Sequence, residues 1–330
     1  MFISRGHPPG LVLKYVGLSP STYYSKPKGT SDSRGRKPSS TTRAKNGKIV
    51  SNDQVVEQIK ELLAQEFVDY GYLKVTHWLR QNKGYIISKH KVYRLMKKYN
   101  LLNLPTRSNP VKRLWVQDLV PNTTTSFEYL EIDIKYVYVH AIRRNSLSIT
   151  VIDVESRWVL GQFMAWRINK GDVKALFNQI FQIYELPSKI YVRNDNGSQF
   201  IAATVQAYFE SFKVVQEFIK PATPEQNAHI ESYHSIVERV ICQQYQFSDL
   251  KEAQDTFNRF VMFYNYERIH SGVNYLSPYA HLISKHITLP DKEKLLTTAL
   301  NCQMRDILPN EVMPLARRRV AEAHSIGKPS

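Results

Sequence analysis

Between residues 127 and 139 apolar and polar side chains alternate, with Leu130, Ile132 and Ile134 on one face and Glu131, Asp133 and Lys135 on the other. A period of two fits a strand with one buried face. Runs 147–154 and 158–166 repeat the strand signal, joined by a turn at Glu155-Ser156-Arg157. The pattern then switches: a helix over 173–186, a strand over 189–192, a helix over 202–212 and a strand over 214–219. A long helix over about 224–245 and another over 250–268 follow. The element order is βββαβαβα before the last helix. Three leading strands form a meander, and each later αβ unit adds a parallel strand with a helix on a face. The expected core, residues 122–285, is an α/β domain with a five-stranded mixed sheet flanked by helices.

Upstream, residues 51–104 carry helical rather than strand periodicity. Val55, Ile59, Leu62 and Leu63 mark one helix, Leu73, Val75, Trp78 and Leu79 a second. Val92, Leu95, Met96 and Tyr99 mark a third, with Ser88 as its N-cap. The expectation is an all-α domain of helix-turn-helix size. Its third helix places Lys89, His90, Lys91, Arg94, Lys97 and Lys98 on the polar surface, as a helix meeting phosphates and base edges in a major groove requires. A solvated basic face is the alternative.

Residues 1–24 read as a short helical segment, with Leu11, Tyr15 and Leu18 at helical spacing and a second start at Ser19. Residues 25–50, rich in Ser, Thr, Gly, Pro, Lys and Arg, read as a basic flexible linker, and residues 105–121 as a second linker. The tail, 286–330, has a basic cluster at Arg317-Arg318-Arg319 and no clear role.

Charge is unevenly distributed. Residues 1–50 hold ten Lys/Arg against Asp32, and residues 71–113 hold eleven Lys/Arg and no acid, leaving −4 elsewhere in a chain of net +16. Two basic segments ahead of a mildly acidic body suit a polyanion, because Lys and Arg displace counterions condensed on phosphates. No basic amphipathic helix with a large apolar face accompanies the charge, so a membrane surface is not the expected partner. No apolar run approaches the roughly 20 residues of a membrane span, and residues 1–10 lack a secretory apolar region. With only two cysteines, Cys242 and Cys302, neither a disulfide framework nor a cysteine zinc site is expected. A reducing cytoplasm is the simplest location.

Three acids stand out within the core. Asp133 lies mid-strand, where an unpaired buried carboxylate is costly. Asp195 ends the fourth strand in Asn194-Asp195-Asn196-Gly197, where the glycine permits a sharp turn. Glu231 borders the stripe of Ile230, His234, Val237 and Ile241 on the long helix. In this element order the first and fourth strands are neighbours, so the three carboxylates can converge. Two unit charges about 4 Å apart repel by roughly 4 kcal/mol at an effective dielectric near 20. Hard divalent cations, Mg²⁺ or Mn²⁺, remove that repulsion, and two of them about 3.5–4 Å apart suit in-line phosphoryl displacement.

At these residues the chain resembles the insertion-sequence transposases of the IS-three family, whose second reading frame carries a retroviral-integrase-like core with two aspartates and a glutamate. The resemblance rests on Glu131-Ile132-Asp133-Ile134-Lys135, on 152–161, on Asn194-Asp195-Asn196-Gly197-Ser198-Gln199-Phe200, and on 226–234, 263–270 and 275–278. Thirty-five residues separate Asp195 from Glu231, the family's interval. Segments 18–24, 69–72 and 92–98 resemble the family's opening and its helix-turn-helix. Lys135, Gln226 and Glu238 stand where the family often has Thr, Asp and Lys, and Arg239 is placed to substitute for that lysine. The His/Cys zinc module of retroviral integrases is not expected.

The resemblance implies a ribonuclease-H-like fold and a DNA transposase. Asp133, Asp195 and Glu231 would be its catalytic and metal-binding residues, with two Mg²⁺ (or Mn²⁺) ions per site. The partners implied are the element's terminal inverted repeats and target double-stranded DNA, with a homodimer or larger assembly on DNA, in a bacterial cytoplasm at the nucleoid. Fusion to, or partnership with, an upstream reading frame is also implied. Lys135, Lys220, Arg239, Arg268 and His270 are candidates for holding phosphates, with a packed histidine the equal alternative for His270. Arg34, Arg36 and Lys37 resemble a minor-groove hook. A non-catalytic DNA-binding regulator and a nuclease that cuts without joining are the alternatives.

Overall fold

The structure is a computed structural model describing residues 3–24, 38–103, 121, 123–220 and 223–292. It divides into two compact units, Met1–Ser40 and Thr41–Ser330. In the first, α1 (Pro9–Tyr15) precedes α2 (Pro20–Tyr23), whose N-cap Ser19 accepts a hydrogen bond from the Thr22 N–H at 3.1 Å. Leu11 and Tyr15, expected on one apolar face, are both exposed.

The second unit opens with a hairpin, β1 (Thr41–Ala44) and β2 (Ile49–Ser51). Three helices follow: α3 (Asn52–Leu63), α4 (Tyr72–Asn82) and α5 (Lys89–Lys98). Strand β3 (Tyr85–Ile86), between α4 and α5, pairs with β1 to give the sheet order β2-β1-β3. Ser51 and Gln54 form a capping box on α3, and Ser88 caps α5 as expected. Val55, Ile59, Leu62, Val75, Leu79, Val92, Leu95 and Met96 are all buried in one cluster.

Two expectations are corrected here. Residues 41–50, expected as linker, form a hairpin with Ser51, and the helix-turn-helix domain is not all-α, since β3 lies within it. At the hairpin tip Gly47 takes a positive φ of 84°, the Ala44 carbonyl accepts from the Gly47 N–H at 3.0 Å, and the Lys48 carbonyl accepts from the Ala44 N–H at 2.8 Å. The strands bury only Thr42, Ala44 and Val50. So few apolar residues cannot be told from linker by composition.

The core sheet contains β4 (Tyr129–Val139), β5 (Arg144–Asp153), β6 (Val159–Ala165), β7 (Ile190–Asn194) and β8 (Val214–Phe218) in the order β6-β5-β4-β7-β8. Strands β4, β5 and β6 are antiparallel, while β7 runs parallel to β4 and β8 parallel to β7. On one face, Leu130, Ile132, Ile149, Val151 and Val192 pack with α6 (Lys170–Ile183) and α8 (Ala203–Ser211). A Cβ at Gly161 on β6 would stand 2.8 Å from Leu176 of α6, so that close approach requires glycine. The expected helix over 202–212 is α8, preceded by the short α7 (Ser198–Ile201).

Val137, Val139, Ile152 and Val159 on the other face pack with α9 (Ala228–Val237) and α10 (Leu250–Tyr266). The expected helix over 224–245 is three pieces: a 3₁₀ turn at Pro224–Asn227, α9, and a π-helical turn at Glu238–Cys242. A final helix, α11, spans Pro278–Ser284. This strand order, with a leading meander and two parallel additions, is the ribonuclease-H-like arrangement.

The helix-turn-helix segment and the core are interlocked. Phe67, between α3 and α4, belongs to the core's α9–α10 cluster and lies 5.4 Å from the Phe260 ring. Conversely, Ile269, beyond α10, belongs to the helix-turn-helix cluster. Among the described residues no helix is long and apolar enough to cross a membrane.

Candidate active site

Glu131, Asp133 and Lys135 share the face of β4 that looks toward α9, because side chains two apart on a strand point the same way. Glu131 is completely buried. Its carboxylate accepts the backbone N–H groups of His229 at 3.0 Å and Ile230 at 2.8 Å, and lies 3.1 Å from His229 Nδ1. A strand carboxylate therefore satisfies the free donors at the start of α9, where the helix dipole also favours negative charge. Burial pushes its pKa up to about 7, opposed by the Ile230 N–H and by Arg193 and Arg157.

Asp133, two residues further on, is also largely buried. One carboxylate oxygen accepts the Ile134 N–H at 2.8 Å and the other lies 3.5 Å from His234 Nδ1. Its pKa is pushed up to about 7, first by burial and then by the like charges of Asp195, Glu231 and Glu131. His234 faces it from α9, and burial together with Lys135 lowers the imidazole to about 3, so that ring is uncharged at neutral pH.

Asp195 follows the end of β7. Its Oδ1 accepts the Gly197 N–H at 3.0 Å, and a Cβ at Gly197 would stand 2.3 Å from the Gln199 side chain. Flanking amides hold the turn: Asn194 donates to the Asp195 carbonyl at 2.6 Å, and Asn196 to the Ile219 carbonyl at 2.9 Å. Glu231 lies in the first turn of α9, half-buried. Burial raises its pKa, Lys135 lowers it, and Glu131 raises it. Lys135 itself is ion-paired with Glu238 at 2.9 Å.

Asp133, Asp195 and Glu231 thus occupy one electrostatic neighbourhood. They are not closed around a common point: among the described residues no three acidic, histidine or cysteine side chains are arranged as a metal cage. Local N–H groups hold the two aspartates, Ile134 N–H on Asp133 and Gly197 N–H on Asp195. As donors, three carboxylates with oxygen ligands fit a hard divalent cation.

The other expected site residues separate into distinct environments. Lys89, His90, Arg94, Lys97 and Lys98 are exposed on α5. Lys91 is half-buried and donates to the Thr41 carbonyl at 2.5 Å, so it secures β1 rather than standing free on the helix surface. Lys220 is exposed, while its backbone N–H donates to Gln226 Oε1 at 2.6 Å. Arg239 is half-exposed and ion-paired with Asp69 at 3.0 Å.

Two of the candidates for holding phosphates are buried. Arg268 is 1% exposed and ion-paired with Asp69 at 2.6 Å. His270 is 8% exposed, its ring 4.6 Å from that of Tyr264. Both sit inside the joint between the helix-turn-helix and the core, in the lining of a cavity between them. Arg34, Arg36 and Lys37 lie outside the described residues.

Glu131 escaped the sequence reading although its position on the Asp133 face was evident. Nothing local indicated that its partners lie almost a hundred residues downstream. Arg193 was also missed: it pairs with Glu217 at 2.9 Å and donates to the Gln226 carbonyl at 2.9 Å, bracing the turn that leads into α9.

Family models match in three stretches: an HTH-like domain over residues 51–108, and integrase core domains over 124–224 and 212–278. The chain is 24% identical over 240 residues to the transposase for insertion sequence element IS904 of Lactococcus lactis, covering 69% of this chain and 93% of that protein. It is 23% identical over 252 residues to the 31 kDa protein of insertion element IS600 of Shigella sonnei, covering 76% and 82%. Among solved structures, a chain of the simian T-cell lymphotropic virus intasome in complex with PP2A regulatory subunit B56 gamma aligns over 72% of this chain and 77% of that one. Its identity is 12% and its TM-score 0.44.

Proposed function

We propose that this chain, which belongs to the IS-three family of insertion-sequence transposases, cuts and joins DNA at a site formed by Asp133, Asp195 and Glu231. The single observation that supports this site most is the placement of the three acids on β4, at the end of β7 and in the first turn of α9, with the Asp133 carboxyl raised first by burial and then by the like charges of Asp195, Glu231 and Glu131. Side chains from two strands and a helix repel one another there at a cost in stability, which a structural role alone does not explain.

Two divalent cations, Mg²⁺ or Mn²⁺, held by Asp133, Asp195 and Glu231, would supply Lewis acidity at the attacking and leaving oxygens. The remaining work falls to the protein. Glu131 fixes the first turn of α9 and hence the height of Glu231 above the sheet. Arg193, through the Gln226 carbonyl, fixes the chain entering that turn. Lys135 stands between Glu231 and Glu238 and limits the build-up of negative charge. The exposed basic residues of α5 meet phosphates of the element end and set its register.

The chemistry is two displacements at phosphorus. Water attacks first, breaking the P–O3′ bond at the element end and leaving a 3′-hydroxyl. That hydroxyl then attacks a target phosphodiester, so each P–O bond broken is replaced by one formed and no nucleotide cofactor is consumed. Joining requires two ends side by side, hence at least two copies of the chain on DNA.

The test is incubation of labelled element-end DNA with the protein and Mg²⁺ or Mn²⁺, alongside Asp195→Ala. Metal-dependent cleavage and joined products, both lost in the variant while DNA binding persists, are expected. Cleavage without joining would identify a nuclease, and binding without cleavage a regulator.

A further inference from the structure

Beside the acidic site lies a second, oppositely charged one. A cavity of about 460 Å³ opens between the helix-turn-helix and the core, within the roughly 300–1,000 Å³ typical of ligand sites. Lys74 at the start of α4, Arg157 from the β5–β6 turn, Arg239 beyond α9 and Arg268 beyond α10 line it, with His229 and His270. None of its lining residues is an acid. From outside the lining Asp69 pairs with Arg239 and Arg268, and Glu131 lies near Arg157 and holds His229 at 3.1 Å.

Several of its polar atoms are waiting for a partner. Among the described residues, Arg268 Nε and Nη1 and His270 Nε2 are buried without a hydrogen bond. Arg268 is 1% and His270 8% exposed, so bulk water does not reach either side chain freely. Unsatisfied donors inside a protein are costly unless a ligand or ordered water completes them. Arg157 donates to the Val154 carbonyl, and Gly272 leaves room for its guanidinium, since a Cβ there would stand 3.3 Å from it. Lys74 is lowered to about 7 by burial and by Arg268 and Arg239, with only Asp69 opposing. Cations concentrated in this way call for an anion.

The position of the cavity says which anion. Ser232, Ser235 and Arg239 line it from α9 and the turn that follows, while Glu231 projects about a quarter-turn around the same helix. Any anion seated here is a near neighbour of the acidic site. We infer that the cavity takes one backbone phosphate of the bound DNA strand, seating that strand next to Glu231 and clamping the helix-turn-helix onto the core. This rests on the DNA-cutting function above, and it assigns a phosphate other than the one being cut.

The test uses the full chain carrying Asp195→Ala, so that DNA stays intact, and element-end duplexes with one neutral methylphosphonate at each backbone position in turn. Lys74→Met and Ser232→Glu are compared with the otherwise unvaried protein. Ser232 is exposed, so the second variant keeps the test valid if the first folds poorly. One position is expected at which the methylphosphonate weakens binding roughly tenfold. Both variants should lose sensitivity at that position only, and Lys74→Met should reduce the salt slope by about one.

Variants that retain the full profile of sensitivity overturn the assignment. Inorganic phosphate, followed by thermal melting, separates the remaining cases. A phosphate-induced shift lost in Lys74→Met, with no DNA position affected, would mean a free-anion site and overturn the DNA assignment. Failure of the unvaried chain to bind any element-end DNA would remove the transposase function itself.

Discussion

The buried carboxylate of Glu131 on β4 accepts the backbone N–H of Ile230 at 2.8 Å, at the start of the helix that carries Glu231. One side chain thus ties the strand bearing Asp133 to the helix bearing the third acid. Helix position here is set by a hydrogen bond from a residue nearly a hundred positions away, in addition to apolar packing.

Removing that tie should be measurable in both stability and chemistry. Glu131→Ala leaves the His229 and Ile230 N–H groups buried without an acceptor, at about 1–3 kcal/mol for each unsatisfied group. Denaturant unfolding should show a loss of about 2–4 kcal/mol. Glu131→Gln keeps one acceptor oxygen and should lose less. Strand cleavage should fall in both, in the same order. Equal stability in all three proteins would contradict the role given to Glu131.

Asp133 provides a charge test that needs no DNA. Its carboxyl is raised to about 7 by burial and by its three acidic neighbours. Asp133→Asn relieves that repulsion, so in chelator the variant should melt at or above the temperature of the parent. The stabilisation that Mn²⁺ confers on the parent should disappear. A variant that melts lower in chelator yet is stabilised by Mn²⁺ as before would contradict both halves.

Asp69 and Arg268 form the buried ion pair of the joint, 2.6 Å apart. Removing one partner of such a pair strands the other charge, typically at 3–5 kcal/mol. Arg268→Ala should therefore destabilise by about that amount. It should also expose the 64–71 loop to limited proteolysis. Arg268→Lys should not restore the parent behaviour, because an ammonium cannot reproduce a guanidinium that also lies over the Tyr70 ring. Unchanged proteolysis in Arg268→Ala would show that the joint does not depend on this pair.

Lys74 makes a signed prediction about pH. Its folded-state pKa is depressed from 10.5 to about 7 by burial and by Arg268 and Arg239, against Asp69 alone. Below pH 7 folded and unfolded chains both hold the proton, and the full penalty of the buried charge is present. Between 7 and 10.5 the folded chain has lost the proton while the unfolded one keeps it, so stability rises with pH. Lys74→Met should be more stable than the parent at pH 6, with the difference narrowing toward pH 10. A difference independent of pH would rule out the depressed lysine.

How much of this was legible in the sequence depended on how local each signal is. The period-two run around Asp133 and the β–α alternation after it predicted all five core strands, because burial on one face imposes that pattern residue by residue. The helices of the DNA-binding segment followed from the same logic. The hairpin at 41–51 did not, since Thr42, Ala44 and Val50 are its whole buried face. Its Asn46-Gly47 tip was the one available clue.

Long-range pairing was the second blind spot. Nothing local to Arg268 shows that Asp69 folds against it, and nothing local to His270 decides between a phosphate ligand and a packed histidine until Tyr264 is seen beside it. The three acids could be placed on the right elements from sequence, but their orientation could not. Each aspartate accepts a hydrogen bond from its own loop or strand, which no spacing rule anticipates.

The central claim is that Asp133, Asp195 and Glu231 close around divalent cations. It is tested most directly by Mn²⁺ soaked into crystals of the protein and located by anomalous scattering. Anomalous peaks bounded by those three carboxylates are predicted, and they should vanish in Asp195→Ala. Well-ordered crystals with Mn²⁺ bound elsewhere, or with no peak among the three acids, would contradict it.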